Sequence, residues 1–492
     1  MKKIALSISL LLFTAVAASA QTMNVRVGQV TYAHRAANTG DMTITGGNTL
    51  TIEGKAYNTG SISQISIDDS YVADNTVSVS YAAQTATVVV SGNIAHFVTV
   101  TVSGANVSIT QSEALQQEVT YTLSGTSSNG SFFMDGDYKA NFVLNNLSLT
   151  NPAGCPLDIQ DGKAISVTLQ GNNSLTDCAN GTHNATLYIN GHPTFSGTGS
   201  LTLTGLTKHA FTSDEYAIIA GGTINVTSAV NDGFHINERF QMDGGTLSIT
   251  SSGDGIDVGF RGANKGTKDQ YERNGFLELN GGTITASCSG QGAKALKADS
   301  TIVIAGATVT ATTSADAYYD ATSADISSSS AVKADGEFRM TSGTLTATST
   351  GDGGKGINAT GAVSISGGNI YVTTTGSLFE YGAEDTKPQG IKSDADITIS
   401  GGSVYVCAGS YDGKATAFKP GDTSTFSING GTIMGIARKK TTVATTSTQK
   451  TATTSGQKIT AGQTFTFSGV SYTIPAGYNN TSANVVVSRA GL

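Results

Sequence analysis

Three aspartates stand where they could hold a hard cation. Asp232 begins the stretch Asp-Gly-Phe-His, and Asp254 and Asp257 begin and end a second stretch, Asp-Gly-Ile-Asp, at a spacing of 22 residues. Ca²⁺ takes about six to eight oxygen ligands, which carboxylates on neighbouring strands and turn carbonyls can supply. We therefore predict calcium, as a structural or bridging ion, with Asp232, Asp254 and Asp257 as its ligands. The alternative is that Asp-Gly marks an ordinary turn.

Basic side chains occupy the corresponding positions further along the chain. Each of the two stretches contains a small residue followed by an apolar one, and this small–apolar pair returns further along the chain. The basic residues that flank its copies are His235, Lys294, Lys297, Lys333, Lys355, Lys392 and Lys419. Like charges stacked ~5 Å apart repel by about 1 kcal/mol in water and several-fold more inside protein. A row of lysines is thus expected to carry an anionic partner, and we predict that these residues bind carbohydrate. Any one lysine could instead be a solvated surface residue, and His235 a packing histidine.

Four longer segments interrupt the chain beside these positions, at residues 259–275, 315–329, 377–388 and 409–414. They contain Tyr318, Tyr319 and Tyr381, whose rings could wall a groove and stack on sugar faces. A long groove with aromatic rings, hydroxyls and charges suits an extended polymer better than a small metabolite, which prefers a closed pocket. The predicted partner is therefore a polysaccharide, and the lysines favour an acidic one.

Short strands in a repeat would position these residues. Eight stretches share a small residue followed by an apolar one, and the apolar members are residues 211, 234, 256, 296, 332, 357, 391 and 418. A Gly-Gly turn follows most of them, and apolar and polar residues then alternate, as at Leu247 and Ile249. Period-two alternation indicates strands, and a period of about 20–30 residues indicates a solenoid. We predict an all-β protein whose repeat forms a parallel β-helix with the apolar members inside.

The composition favours the same class of protein. Only 13% of the 492 residues are charged, 60 are glycine and none is Trp, which suits short strands and tight turns rather than helices. The net charge of −8 provides no global field that attracts nucleic acid. We expect a monomer with no nucleic-acid partner.

The chain divides into four predicted segments. Residues 1–20 read as a signal peptide, because Lys2 and Lys3 precede a short apolar run and Ala18-Ser19-Ala20 forms a cleavage site. This predicts export to the periplasm, the cell surface or the medium, without membrane insertion. Residues 21–110 form a small N-terminal all-β domain, and 111–437 the repeat. Residues 438–492 form a Thr-rich connection and closing strands that cap open strand edges.

Four cysteines are compatible with either thiols or one disulfide. Cys155 and Cys178 are about one repeat apart, so in an exported protein they could bridge neighbouring coils. The alternative is that these two, with Cys288 and Cys407, are buried thiols, because no CxxC motif or Cys/His cluster indicates a metal.

Three stretches carry a resemblance to a known family. "NDGFHINERFQMDGGTLSITSSGDGIDV" (231–258), "VTYTLSGTSSNGSFFMDGDYKANFVL" (119–144) and "KHAFTSDEY" (208–216) resemble exported carbohydrate-binding domain-containing proteins of polysaccharide-degrading anaerobes. The resemblance covers roughly residues 119–437. It implies a right-handed parallel β-helix similar to that of pectate lyases, calcium, and binding of cellulose or acidic polysaccharides such as polygalacturonate. The family pattern Asp-Gly-apolar-Asp is matched fully only at Asp254–Asp257, because His235 ends the earlier stretch.

The leading hypothesis is a non-catalytic binding module for an extended polysaccharide. A calcium-dependent polysaccharide lyase is the second, with neutral Lys294 or Lys297 as the base, and a hydrolase would need paired carboxylates from among the three aspartates. The regular row of side chains argues against an enzyme, whose catalytic groups converge. The third hypothesis, an adhesin that binds a protein, leaves the change from aspartates to lysines unexplained.

Overall fold

The computed structural model describes residues 21–40, 42–260, 273–410 and 413–492. The predicted signal peptide lies outside the described residues, as do most of the 259–275 segment and part of the 409–414 segment. In the described part of the chain, β-strands are joined by turns and by two 3₁₀ turns, Ala36–Asn38 and Gly92–Ile94. No helix among these residues is long and apolar enough to cross a membrane.

Ten strands precede the repeat. They are β1 Thr22–Val27, β2 Val30–Arg35, β3 Thr43–Thr45, β4 Thr49–Ile52, β5 Lys55–Asn58, β6 Gln64–Asp68, β7 Thr76–Ala82, β8 Thr85–Ser91, β9 Val98–Ser103 and β10 Ala105–Gln111. Most pairs among them are antiparallel, as in the hairpins β1–β2 and β7–β8.

The next strands carry the repeat and its interruptions. Up to residue 288 they are β11 Val119–Ser127, β12 Gly130–Asp135, β13 Ala140–Thr150, β14 Leu157–Gln160, β15 Ala164–Gln170, β16 Asn172–Thr176, β17 Ala185–Ile189, β18 His192–Gly197, β19 Ser200–Gly205, β20 His209–Ser213, β21 Ala217–Ile219, β22 Thr223–Ala229, β23 Phe234–Ile236, β24 Arg239–Met242, β25 Thr246–Ser251, β26 Ile256–Val258, β27 Phe276–Leu279 and β28 Thr283–Cys288.

From residue 294 onward the strands continue to the C-terminal region. They are β29 Lys294–Ala298, β30 Ile302–Thr313, β31 Tyr318–Asp320, β32 Asp325–Ser327, β33 Ser330–Ala334, β34 Phe338–Ser349, β35 Lys355–Ala359, β36 Val363–Ile365, β37 Asn369–Thr374, β38 Phe379–Tyr381, β39 Glu384–Thr386, β40 Gln389–Ser393, β41 Ile397–Ile399, β42 Ser403–Ala408, β43 Thr416–Lys419, β44 Phe426–Ile428, β45 Thr432–Ala437, β46 Thr451–Ile459, β47 Thr464–Phe467, β48 Val470–Thr473 and β49 Asn480–Ser488.

The smaller of the two main sheets carries the eight small–apolar stretches. Its 13 strands follow the order β9-β10-β12-β14-β17-β20-β23-β26-β29-β33-β35-β40-β43, and all of its pairs except β9–β10 are parallel. From β20 to β43 the apolar members pair directly, beginning with Phe211 opposite Phe234 and ending with Ile391 opposite Phe418. These apolar side chains are buried, so one register places equivalent residues of each stretch above one another.

The larger sheet has 27 strands and includes a closed ring of twelve parallel strands. The ring runs through β13, β15, β18, β21, β24, β27, β30, β28, β25, β22, β19 and back through β16 to β13. The sheet is thus a closed parallel barrel by its pairings, and the prediction of a right-handed parallel β-helix solenoid is wrong.

Two long strands close this ring. β13 pairs with both β15 and β16, and β30 pairs with both β27 and β28. In β13 the chain turns at Asn146, which has a φ of 50°, and in β30 it turns at Gly306, and both strands stay paired on either side of the turn. These turns therefore join two rows of paired strands into one ring.

The terminal segments are bonded into the same two sheets. β7 pairs in parallel with β11, β10 pairs in parallel with β12, and one hydrophobic cluster extends from Met23 to Val486. The buried residues of the predicted N-terminal segment, 21–110, therefore share one hydrophobic cluster with those of the repeat. At the other end, β49 pairs antiparallel with β45 and covers the last parallel strand of the large sheet.

All four cysteines are free thiols, so the alternative of a Cys155–Cys178 disulfide is not realised. Cys288 and Cys407 are buried, and Cys155 and Cys178 are half-buried.

Candidate functional site

A single outward-facing column runs along the smaller sheet. From Tyr188 onward it contains, in pairing order, Thr212, His235, Asp257, Lys297, Lys333, Asn358, Lys392 and Lys419. The members occupy the position after each buried apolar residue, because side chains alternate across a strand. The structure thus brings five of the predicted carbohydrate-binding residues, His235 and four of the lysines, onto one line, which we call the polar column.

The row of lysines gives way to Asp257 and His235 at what we call the acidic end of the polar column, next to Thr212 and Tyr188. This end is a cluster of imidazoles and carboxylates. Asp232 Oδ2 lies 3.1 Å from His209 Nδ1 and 3.3 Å from His235 Nδ1. Asp257 Oδ2 lies 3.2 Å from the same His235 nitrogen. The two imidazole rings stack with their centroids 4.4 Å apart. His209 begins the first of the eight stretches, but its signal was missed because no carboxylate stands in that stretch.

The electrostatics of this cluster favour a positive charge between the carboxylates. Burial works against a charged His235, but Asp232 and Asp257 outweigh it and raise the pKa of His235 to about 9. Burial also opposes the charge on Asp232, yet the neighbouring imidazoles hold its pKa below the usual range. For His209, burial prevails and lowers the pKa, although Asp232 lies beside it.

The three predicted calcium ligands each have a different set of polar partners. Asp232 joins the histidine cluster, and its Oδ1 accepts the backbone N–H of Asp254 at 2.8 Å. Asp254 Oδ1 accepts the backbone N–H of Lys294 at 2.7 Å, and burial raises the pKa of this carboxyl to about 7. Asp257 Oδ1 instead receives the Lys297 ammonium at 2.8 Å. The described geometry does not bring the three carboxylates together, and calcium at these residues stays a prediction.

The lysines of the polar column each have an intramolecular carboxylate. Lys297 pairs with Asp257, Lys333 with Asp335 at 2.6 Å, Lys392 with Asp394 at 2.6 Å and Lys419 with Asp422 at 2.7 Å. Repulsion along the row is therefore offset within the chain. An anionic ligand is not needed to explain the stacked lysines, and the face presents both ammonium and carboxylate groups.

Lys294 and Lys355 lie apart from the polar column. Both occupy the position two residues before the apolar member, and Lys294 is opposite Ser330, which is opposite Lys355. Lys294 Nζ donates to Ser327 Oγ at 2.9 Å. Lys355 is only 4% exposed and donates to Ser328 Oγ and, at 2.6 Å, to Thr386 Oγ1. Lys355 is thus buried where the sequence predicted a ligand-facing side chain.

The pKa values of the lysines separate the two candidate bases of a lyase. Burial lowers the pKa of Lys294, partly countered by Asp254. Burial also opposes the charge of Lys297, but Asp257 outweighs it and raises the pKa of that ammonium. Lys297 is therefore held in the protonated form, which cannot abstract a proton.

Two hairpins cover Lys355 and present the predicted tyrosines. β31–β32 and β38–β39 are antiparallel pairs formed by two of the interrupting segments. They touch each other through stacked rings of Tyr319 and Tyr381, whose centroids are 4.3 Å apart and whose planes differ by 10°. Tyr381 is 55% exposed and Tyr318 37% exposed. The hairpins thus provide exposed aromatic surface beside the small sheet.

A cavity of 240 Å³ lies at the Tyr188 end of the polar column. Its lining includes Asp158, His183 and Tyr188. His183 Nε2 lies 2.8 Å from Asp177 Oδ2, and Tyr188 donates to Asp214 Oδ2. The sequence reading named none of these residues, because the strands β14 and β17 lack the polar flanks of the eight stretches.

Comparison with known proteins places most of these features inside one matched region. A family described as "carbohydrate-binding domain-containing protein" matches residues 103–377. A solved structure of a polysaccharide lyase-like protein from C. thermocellum, a gadolinium derivative, is similar at 22% identity and a TM-score of 0.39. That likeness covers 48% of this chain and 91% of the other chain and is too distant to support an argument. No curated protein matches the sequence. Because the family match spans more than half of the 492 residues, the chain belongs to the carbohydrate-binding domain-containing protein family.

Proposed function

We propose that this protein is an exported, non-catalytic module that binds an extended, acidic polysaccharide along the polar column. The observation that carries the proposal is the unbroken register of the column from Asp257 to Lys419. With rungs ~4.8 Å apart, those six positions form a straight line about 24 Å long. A line of this kind matches a polymer chain, whereas a small ligand is held by convergent groups.

The chemistry of the column suits a hydroxyl-rich and charged ligand. Lys333 and Lys392 are about one-fifth to one-quarter exposed at their side chains, and their partners Asp335 and Asp394 are 43% and 55% exposed. Ammonium groups donate to sugar hydroxyls and uronate carboxylates, and the aspartates accept from hydroxyls. The exposed ring of Tyr381 offers a face for stacking on a sugar.

Calcium enters the proposal as a bridging ion. The carboxylates of Asp335, Asp394 and Asp422 reach solvent, and Ca²⁺ readily combines protein and ligand oxygens in one coordination sphere. We expect binding of an acidic glycan to weaken when calcium is chelated.

The test is retention of the full chain on insoluble cellulose and on immobilised polygalacturonate, with Ca²⁺ or with chelator. The double variant Lys333→Ala/Lys392→Ala should lose most of its retention on the acidic glycan, because two donors of the column are removed. The matched control is Lys450→Ala/Lys458→Ala, which removes two exposed lysines of the C-terminal segment and should bind like the unmodified chain.

The same samples are assayed for new reducing ends and unsaturated sugars. Retention without products, sensitive to calcium and to the column variant, supports the proposal. Formation of products would replace it with the lyase hypothesis. Equal loss in both double variants would show that net charge, and not the column, governs binding.

A further inference from the structure

The cluster at the acidic end of the polar column contains a nitrogen-rich set of ligand atoms. His209, Asp232 and His235 each offer one ligand atom, and these three atoms all lie within 4.8 Å of one another. They come from two adjacent rungs, since His209 begins β20 and His235 lies in β23, with Asp232 two residues before that strand. Their convergence therefore follows from the register of the sheet.

The Nδ1 atoms of both imidazoles are close to carboxylate oxygens but are not aligned with them as hydrogen bonds. Among the described residues, His209 Nδ1 and His235 Nδ1 are buried atoms that lie 3.1–3.3 Å from carboxylate oxygens of Asp232 and Asp257 without the angles of a hydrogen bond. The His209 side chain is only 3% exposed. Buried polar atoms in folded proteins nearly always form well-aligned hydrogen bonds. Two nitrogens that approach one carboxylate oxygen without that alignment are instead arranged as ligands around a shared cation would be.

The geometry points to a binding site for a divalent first-row transition metal ion, such as Zn²⁺, held by His209 Nδ1, Asp232 Oδ2 and His235 Nδ1. Ligand atoms ~2.1 Å from one ion lie ~3.0–3.4 Å apart in octahedral or tetrahedral arrangements. The two nitrogen–oxygen distances, 3.1 and 3.3 Å, fall in that range. The stacked imidazoles reach a common ion by rotation about χ2, a broad and soft torsion.

The surroundings of the cluster hold its carboxylates in place. Asp232 Oδ1 is fixed by the backbone N–H of Asp254, which leaves Oδ2 for the ion. Asp257 Oδ1 is fixed by Lys297, and its Oδ2 lies 3.2 Å from His235 Nδ1, near enough to supply a fourth ligand. Such outer hydrogen bonds orient the ligands of metal sites and tune their affinity.

The donor types distinguish this site from the calcium prediction. Ca²⁺ is bound almost wholly by oxygen, whereas imidazole nitrogens with one or two carboxylates suit Zn²⁺, Ni²⁺ or Cu²⁺. The His235 side chain is 29% exposed, so an ion has access from the solvent side. The site does not depend on carbohydrate binding.

The experiment loads the chelator-stripped full chain with Zn²⁺, removes free metal by dialysis and measures bound zinc by elemental analysis. We expect one bound ion per chain, which excess Ca²⁺ does not displace. His209→Ala and His235→Gln should each lose most of the zinc. The control is His192→Ala, which removes a histidine of β18 in the larger sheet whose imidazole pairs with Glu215. This variant should retain the zinc.

Co²⁺ loading provides a second readout that does not depend on stability. A visible absorption band of the bound Co²⁺ should appear in the unmodified chain and disappear in the more exposed variant, His235→Gln, if its far-ultraviolet spectrum shows that it is folded. Failure of the unmodified chain to retain zinc, displacement of the zinc by Ca²⁺, or full zinc content in both histidine variants would overturn the inference.

Discussion

At the residue scale, Lys355 shows how burial changes the chemistry of a side chain. Burial, with the nearby charges of Lys392 and Lys333, lowers the pKa of Lys355 to about 7. In the unfolded chain a lysine titrates near 10.4. Between these values the unfolded state binds a proton that the folded state does not, so the free energy of unfolding rises with pH across this window.

Replacing this lysine should reveal that dependence. In Lys355→Met the titrating group is absent, so the variant should be more stable than the lysine protein near pH 7 by up to a few kcal/mol. The difference in free energy of unfolding between the variant and the unmodified chain should shrink as the pH approaches about 10, because the lysine then begins to lose its proton in the unfolded state as well. Urea denaturation at several pH values measures the difference. The exposed control Lys458→Met should change stability equally at each pH, and a constant difference for Lys355→Met would contradict the prediction.

The candidate site could be predicted from the sequence only in part. Register alone was enough to align His235, Asp257, Lys297, Lys333, Lys392 and Lys419, because each follows a buried apolar residue. The same pattern gave Lys355 as a ligand-facing residue, although the hairpins cover it. Nothing local in a sequence shows which segment folds over which side chain. For Lys333, Lys392 and Lys419 the aspartate partners lie two or three positions onward in the sequence, so these pairs could have been predicted, whereas the pair of Lys297 with Asp257 requires the register of the sheet.

At the element scale, glycines with positive φ form turns between strands, and these turns differ in how closely they pack against neighbouring strands. Gly402 has a φ of +80°, and a Cβ built on it would lie 2.6 Å from the carbonyl oxygen of Gly368 on the preceding rung. Gly462 has a φ of +78°, yet a Cβ there meets no atom within 4 Å. The two positions therefore share a backbone conformation and differ in packing.

Alanine at these two glycines separates the two effects. Gly462→Ala should lose about 1–2 kcal/mol from the left-handed backbone alone. Gly402→Ala should lose more, because the methyl group also displaces a neighbouring corner and strained backbone costs of order 1–3 kcal/mol. Chemical denaturation of the two variants compares their free energies of unfolding. Equal losses of free energy of unfolding in the two variants would show that the backbone around Gly402 accommodates the methyl group without further cost.

Strand identity was predictable from alternation, while sheet closure was not. The stretches around Phe211, Phe234 and Ile256 formed buried strands as their pattern indicated. The closed ring depends on β13 and β30, which stay paired on both sides of a corner. Continuity of hydrogen bonding across a corner depends on backbone angles at residues such as Gly306, and composition does not report those angles.

At the scale of the whole molecule, the C-terminal segment closes an edge that would otherwise bind other chains. β49 lies between β45 and β46 and pairs antiparallel with both. Without it, the backbone N–H and C=O groups of β45 would be open, next to the buried side chains of Ile433 and Ile436. An open, apolar strand edge is a site of self-association. The expected monomer therefore depends on β49.

A proline in β49 should convert the monomer into an associating species. Val486 is paired with Gly435 on one side and Thr453 on the other, and proline inside a central strand removes a ladder donor and disturbs both pairs. Size-exclusion chromatography with light scattering should find Val486→Pro in oligomers or aggregates. Thr466→Pro, in the separate two-stranded sheet β47–β48, introduces the same residue without opening β45 and should elute like the unmodified chain. A monomeric Val486→Pro variant would contradict the prediction. It would show that the edge of β45 does not associate with other chains even when its pairing with β49 is disturbed.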